Sequence, residues 1–215
     1  MRYPNLKEEK RLWKKGFKVV VGLDEAGRGA LCGPVVAAAA MVKFKIQNAK
    51  CKMKIQNLKL LREIRDSKKL TSQKRKELYR RIVKCPFIKW GIGKVSEKVI
   101  DKINILEATK LAMKRAIKNL KKKPDFLILD GNFKLDLPIL QKSIVKGDEK
   151  VLSCAMASII AKVTRDRIME KYAKKFPEYG FEKHKGYGTK FHLRMLKKYG
   201  PCKIHRRSFF PIAKI

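Results

Sequence analysis

The sequence has no C-x-x-C pair, no apolar run long enough to cross a bilayer, and few acids. Its five cysteines (Cys32, Cys51, Cys85, Cys154 and Cys202) are scattered and odd in number. That argues against a zinc site or a disulfide framework and fits reduced thiols in a cytosolic protein. The longest apolar stretch, near 34–42, is too short for a transmembrane helix and is rich in Ala. Residues 1–18 carry charges throughout and hold no apolar block, so no secretory signal is expected. There is no internal repeat and no flexible linker. A cytoplasmic protein with no membrane partner is expected, as a monomer.

Acids number only 19 against 55 Lys and Arg, a formal net charge of +36. Such an excess suits a polyanionic partner, nucleic acid first; a lysine-rich proteome would give the same imbalance without one. With 215 residues, 45% of them hydrophobic, the chain can build one domain with a sizeable core.

The pattern reads as α/β. A basic, helical lead-in covers 1–16, with Leu6, Leu12 and Trp13 as its apolar contacts. Strands are expected at 18–24, 35–42, 88–95, 125–131 and 143–148, the first two antiparallel because their connection is too short for a crossover. Helices are expected after a Thr71 or Ser72 cap to about Val83, from Ile105 to Leu120 after an Asn104 cap, from about Leu152 to Lys175, and from Thr189 to Tyr199. The third of these begins with small residues that suit close packing on a sheet. The lysine-rich segment 43–65 holds one acid, Glu63, and alternates with period two over Lys50–Ile55. It reads equally as a basic hairpin or as a poorly ordered insert.

Against this basic background the carboxylates stand out. Val19-Val20-Val21-Gly22-Leu23 runs into Asp24-Glu25 and then Gly27-Arg28-Gly29. Asp130-Gly131 and Gly147-Asp148 close two further predicted strands. Any one of these acids alone reads as the polar end of a strand or the start of a turn. Together, at the ends of neighbouring strands, Asp24, Glu25, Asp130 and Asp148 would repel one another unless a hard cation held them. An all-oxygen ligand set points to Mg²⁺ or Mn²⁺, and such a cluster beside phosphate suits two-metal phosphodiester hydrolysis.

Six segments, in order, carry a resemblance: Asp24-Glu25-Ala26-Gly27-Arg28-Gly29, Asp66-Ser67-Lys68, Asp130-Gly131-Asn132, Lys146-Gly147-Asp148, Ala157-Ser158-Ile159-Ile160-Ala161-Lys162-Val163 and His184-Lys185-Gly186-Tyr187-Gly188-Thr189. Over roughly 17–212 the chain resembles type 2 ribonuclease H, ribonuclease HII. The resemblance implies a ribonuclease H-like fold, a mixed five-stranded sheet flanked by helices, with a helical C-terminal part at about 170–215, all in one domain. It implies Asp24, Glu25, Asp130 and Asp148 as catalytic metal ligands. It also implies endonucleolytic cleavage of the RNA strand of RNA–DNA hybrids and incision 5′ of single ribonucleotides in duplex DNA, leaving 3′-hydroxyl and 5′-phosphate ends. The 17 residues before the first predicted strand are too few for the extra N-terminal domain of ribonuclease HIII. Segment 43–65 looks longer than the family's connection.

Further roles follow from the chemistry of the substrate. The 2′-OH alone separates RNA from DNA at one position, and backbone reaches it best where no side chain intervenes, as at Gly27, Arg28 and Gly29. Tyr187 resembles the family's substrate-sensing tyrosine. Lys68, Lys146, Lys162, Arg165 and Lys185 are candidate phosphate contacts, although any one of them taken alone reads more readily as plain surface charge in a chain with 55 basic residues. His184, His192 and His205 are too far apart in sequence for a zinc site and receive no role. The competing reading is a basic nucleic-acid-binding protein without chemistry, but a pure binder has no reason to gather four acids where it must attract phosphate.

Overall fold

In the computed structural model, residues 3–43, 55–64, 67 and 70–215 are described. The elements are α1 (Lys7–Lys14), β1 (Val20–Ala26), β2 (Val35–Val42), α2 (Ile55–Glu63), α3 (Ser72–Lys84), β3 (Ile88–Val95), α4 (Glu97–Asn119), β4 (Phe126–Asp130), β5 (Leu140–Ile144), α5 (Gly147–Lys150), α6 (Leu152–Lys175), α7 (Phe181–His184) and α8 (Lys190–Tyr199). The five strands form one mixed sheet in the order β3-β2-β1-β4-β5. β1 pairs antiparallel with β2 and parallel with β4, and β4 pairs parallel with β5. The strands expected to end in acid are therefore neighbours.

Strand β2 shows how the layers form. Ala38, Ala40 and Val42 pack with α6, while Val35, Ala37, Ala39 and Met41 pack with α4. This is the period-two alternation of a strand covered on both faces, and the small side chains let both helices come close. Helix α6 is buried on every side over its first ten residues, as expected of a helix apolar all round. Gly22 on β1 is what admits it: a Cβ there would collide with the backbone of Ser153 and Cys154. The buried Glu9 of α1 accepts from the Ser153 N–H at 2.9 Å, capping the start of α6.

Several boundaries differ from the sequence reading. The fifth strand lies at Leu140–Ile144, not 143–148, so Asp148 sits in the short α5 beyond the strand. Lys146, in the left-handed region at φ 56°, makes the corner between them. Asn104 does cap, its Oδ1 accepting from the N–H groups of Leu106 and Glu107. Yet helix already precedes it from Glu97, and Asn104 is the non-helical residue at a kink. Thr71, not Ser72, caps α3, accepting from the Lys74 N–H. Residues 44–54, with most of the alternation in the lysine-rich segment, lie outside the described residues. Its end is the helix α2, whose Glu63 binds Lys74 and Arg81 of α3, both at 2.8 Å. These partners hold the Glu63 carboxyl down to about 2.

Candidate active site

The ends of β1 and β4 and the start of α5 bring three carboxylates together. Asp24, Asp130 and Asp148 each place an oxygen within 4.8 Å of the others. Asp24 and Asp148 are buried and Asp130 is half-buried. The Gly147 N–H donates to Asp130 Oδ1 at 2.8 Å, which locks α5 onto the end of β4. The Glu25 N–H donates to Asp24 Oδ1 at 2.7 Å. Burial, then the charges of Glu25, Asp130 and Asp148, push the Asp24 carboxyl well above the usual range, partly offset by a hydrogen bond from Ser158. Like charges held this close in low dielectric suit a hard divalent cation, and carboxylate oxygens are its preferred ligands. The donor set fits Mg²⁺ or Mn²⁺. Glu25 stands beside this trio but outside it, its Oε1 3.4 Å from Arg28 Nη1.

Above Asp24 and Asp130 opens a cavity of about 230 Å³, walled by Glu25, Ala26, Gly27, Arg28, Gly29, Ser67, Ser158, Lys162 and Tyr187. Gly27 has φ +95°, and a Cβ there would strike the Arg165 guanidinium. Gly29 is the opposite case, with only open space where a Cβ would stand. The fold itself does not demand a glycine at position 29. Tyr187, 37% exposed, also lines the cavity, with the Lys162 Nζ 5.8 Å from its ring centre.

The predicted phosphate contacts divide. Lys162 lines the cavity and pairs with Asp166 at 2.7 Å. Lys146 is exposed but outside the cavity wall, and Lys185 turns to Glu170 at 3.2 Å and the Glu182 carbonyl. Lys68 lies outside the described residues. Arg165 is a correction. It is fully buried, and its guanidinium donates to the carbonyls of Pro34, Lys185 and Cys32 while lying 5.4 Å from the Tyr187 ring centre. A side chain so enclosed supports the tyrosine from behind and does not reach phosphate.

Three further features, to which no role is assigned from the sequence, bear on the site. Ser67 and Ser158 share a hydrogen bond of 2.8 Å in the cavity wall. Arg206, also fully buried, donates to the carbonyls of Gly27, Arg28 and Gly33. The histidines, far apart in sequence, meet in space: His184 stacks on His192 at 4.4 Å, and the Nε2 atoms of His192 and His205 are 3.0 Å apart. In sequence the only hint was their placement around Tyr187 and Arg206.

A family model described as Ribonuclease HII matches residues 21–211. The chain belongs to the ribonuclease HII family. It is 50% identical over 94% of its length to ribonuclease HII of Acetivibrio thermocellus, covering 73% of that protein. It is 48% identical over 94% of its length to the Caldicellulosiruptor bescii enzyme, covering 91% of it. Among solved structures, ribonuclease H2 from Pyrococcus horikoshii OT3 superposes with a TM-score of 0.70 at 29% identity, over 91% of this chain and 95% of that one. As a family member the chain is a ribonuclease, a hydrolase of phosphodiester bonds. The ribonuclease H-like architecture expected from the sequence is the one observed. No helix among the described residues is long and apolar enough to cross a membrane.

Proposed function

We propose that this protein is a divalent-metal-dependent endonuclease that cuts the RNA strand of RNA–DNA hybrids and incises 5′ of single ribonucleotides in duplex DNA, leaving 3′-hydroxyl and 5′-phosphate ends. The observation that carries this reading is the carboxylate trio, two of whose members, Asp24 and Asp130, line a cavity together with Gly27-Arg28-Gly29 and Tyr187. Asp24, Asp130 and Asp148 hold Mg²⁺ or Mn²⁺, with Glu25 as the fourth catalytic carboxylate. Bound ions supply activation of the attacking water and stabilisation of the leaving oxygen.

The chain's own residues do the rest. The backbone at Gly27, Arg28 and Gly29 approaches the 2′-OH. The Tyr187 ring packs against the neighbouring sugar and sets the scissile phosphate in register. Lys162 is the phosphate contact best placed for this, with the exposed Lys146 as a further one. The protein works as a cytoplasmic monomer on duplex nucleic acid. The test is incubation with a DNA duplex carrying one ribonucleotide. Cleavage 5′ of the ribonucleotide with Mn²⁺, abolished by EDTA, supports the reading. Cleavage that persists in EDTA, or equal cutting of an all-DNA duplex, contradicts it.

A further inference from the structure

We propose that the dipeptide His205-Arg206 braces both walls of the ribonucleotide-reading cavity: Arg206 holds the carbonyls of Gly27 and Arg28, and His205, acting through His192, holds the carbonyl of Tyr187. The inference rests on the reading above, that these two walls recognise the ribonucleotide.

The first arm is a matter of peptide geometry. Arg206 Nη2 donates to the Gly27 carbonyl at 2.7 Å and to the Gly33 carbonyl at 2.9 Å. Its Nη1 donates to the Arg28 carbonyl at 2.8 Å and its Nε to the Gly33 carbonyl at 3.0 Å. A buried cation is costly unless its N–H groups are partnered, and here the partners are main-chain oxygens of one loop. In a planar trans peptide the C=O and the following N–H point in opposite directions. Holding the Gly27 and Arg28 carbonyls against the guanidinium therefore turns the N–H groups of Arg28 and Gly29 away from it. Consecutive N–H groups so presented form a concave donor for an oxygen. The open space at Gly29 leaves that donor uncovered.

The second arm is a chain of protons whose positions are fixed. The Cys202 N–H donates to His205 Nδ1 at 2.9 Å, so the neutral ring carries its proton on Nε2. That proton faces His192 Nε2 at 3.0 Å, which must accept. The His192 proton is then on Nδ1, 3.0 Å from the Tyr187 carbonyl, to which it donates. The backbone at the brace is itself pinned, because the Arg206 N–H donates to the Leu31 carbonyl and the Gly33 N–H to the Ile204 carbonyl. Adjacent residues on one strap thus set the two walls relative to each other. Neither side chain touches the substrate in this account; both are positioning residues.

The readout is preference, not activity. Affinities are measured for a duplex with one ribonucleotide and for the matching all-DNA duplex, with Ca²⁺ as the ion and under conditions where no product forms. Arg206→Lys keeps the charge but loses the planar fork that spans several carbonyls. It should reduce the wild-type preference for the ribonucleotide about tenfold, the worth of one ordinary hydrogen bond, while the all-DNA affinity stays unchanged. His192→Phe should reduce the preference in the same direction. His192→Asn, whose amide N–H can stand in for Nδ1–H, should restore it. A purely structural role would lower the folded fraction and weaken both affinities alike. If Arg206→Lys fails to fold, the His192→Phe and His192→Asn pair decides. Wild-type preference in folded Arg206→Lys and His192→Phe overturns the brace. No preference in the wild type itself overturns instead the assignment of the two walls, and the brace with it.

Discussion

Among the described residues two clusters gather three side chains of metal-ligating type: Asp24, Asp130 and Asp148 beside the cavity, and Cys32, His192 and His205 next to the Tyr187 loop. By proximity they are alike. By chemistry they are opposites. The carboxylates carry like charges in a dry place, and the Asp24 carboxyl is driven upward by burial and by its neighbours' charges. The histidine cluster has no such excess. Its ring protons are fixed by the Cys202 N–H at one end and the Tyr187 carbonyl at the other, so the His205 Nε2 facing the cluster carries a proton and not a lone pair. Burial also pushes the Cys32 thiol up to about 12, far from the thiolate a metal would need. Closeness of ligands is not enough for a metal site; the charge and protonation of the ligand atoms must also suit the ion.

The sharpest way to break this contrast is to remove one carboxylate. Asp24→Asn or Asp130→Asn should abolish cleavage while leaving duplex binding intact, since shape is kept and a charged ligand is lost. The loss should exceed the roughly 10–100-fold cost of removing a group that only orients a metal ligand. Single-turnover rates at saturating Mn²⁺ check this, and near-normal turnover would contradict the assignment.

Next in size is the wall that places the substrate. Tyr187→Ala should slow cleavage at an isolated ribonucleotide on the order of a hundredfold, the scale of an ångström-sized misplacement. Tyr187→Phe should be milder, because the ring is kept. Equal rates for Tyr187→Ala and wild type would reduce Tyr187 to a packing residue.

The histidine cluster makes a smaller, pH-dependent contribution. Burial lowers His192 from 6.5 to about 4, offset in part by its bond to the Tyr187 carbonyl. Burial, with the charges of His192, Arg207 and His184, also lowers His205 to about 4. The unfolded chain takes up these protons near pH 6.5 and the folded one only near pH 4. Stability present above pH 6.5 is therefore lost progressively as the pH falls through that window. Thermal unfolding between pH 7 and pH 4 should show a falling midpoint, with a shallower slope in His192→Phe. Identical slopes would mean that other groups control acid unfolding.

The stretch 44–54 of the lysine-rich segment should have the smallest effect, one confined to non-specific affinity, because the rest of the segment buries Leu60 and Ile64 in the core. Replacing it with a short Gly-Ser link should flatten the dependence of duplex affinity on salt, because fewer counterions are released. An unchanged slope would place its lysines away from the duplex.

The same contrast explains what the sequence could disclose. Asp24 and Asp130 are legible because each ends a short apolar run, and such runs fix their own strands. The bounds of β2 and β3 matched the runs at 35–42 and 88–95, and α6 matched its run at 152–175. Asp148 joins the cluster although its strand is placed differently, because Gly147 ties α5 to Asp130. Arg165 and Arg206 were not legible. Nothing local separates an arginine that reaches phosphate from one that turns inward to carbonyls more than a hundred residues away, such as Pro34 or Gly27. The histidines failed for the same reason: spacing along the chain does not report a loop that folds back on itself.

The most direct test of the account is a calorimetric titration of Mn²⁺ into wild type, Asp24→Asn and Cys32→Ser, without nucleic acid. The account predicts binding to wild type, loss of that binding in Asp24→Asn, and an unchanged isotherm in Cys32→Ser. Wild-type binding in Asp24→Asn, or its loss in Cys32→Ser, would put the metal in the wrong cluster and contradict the account.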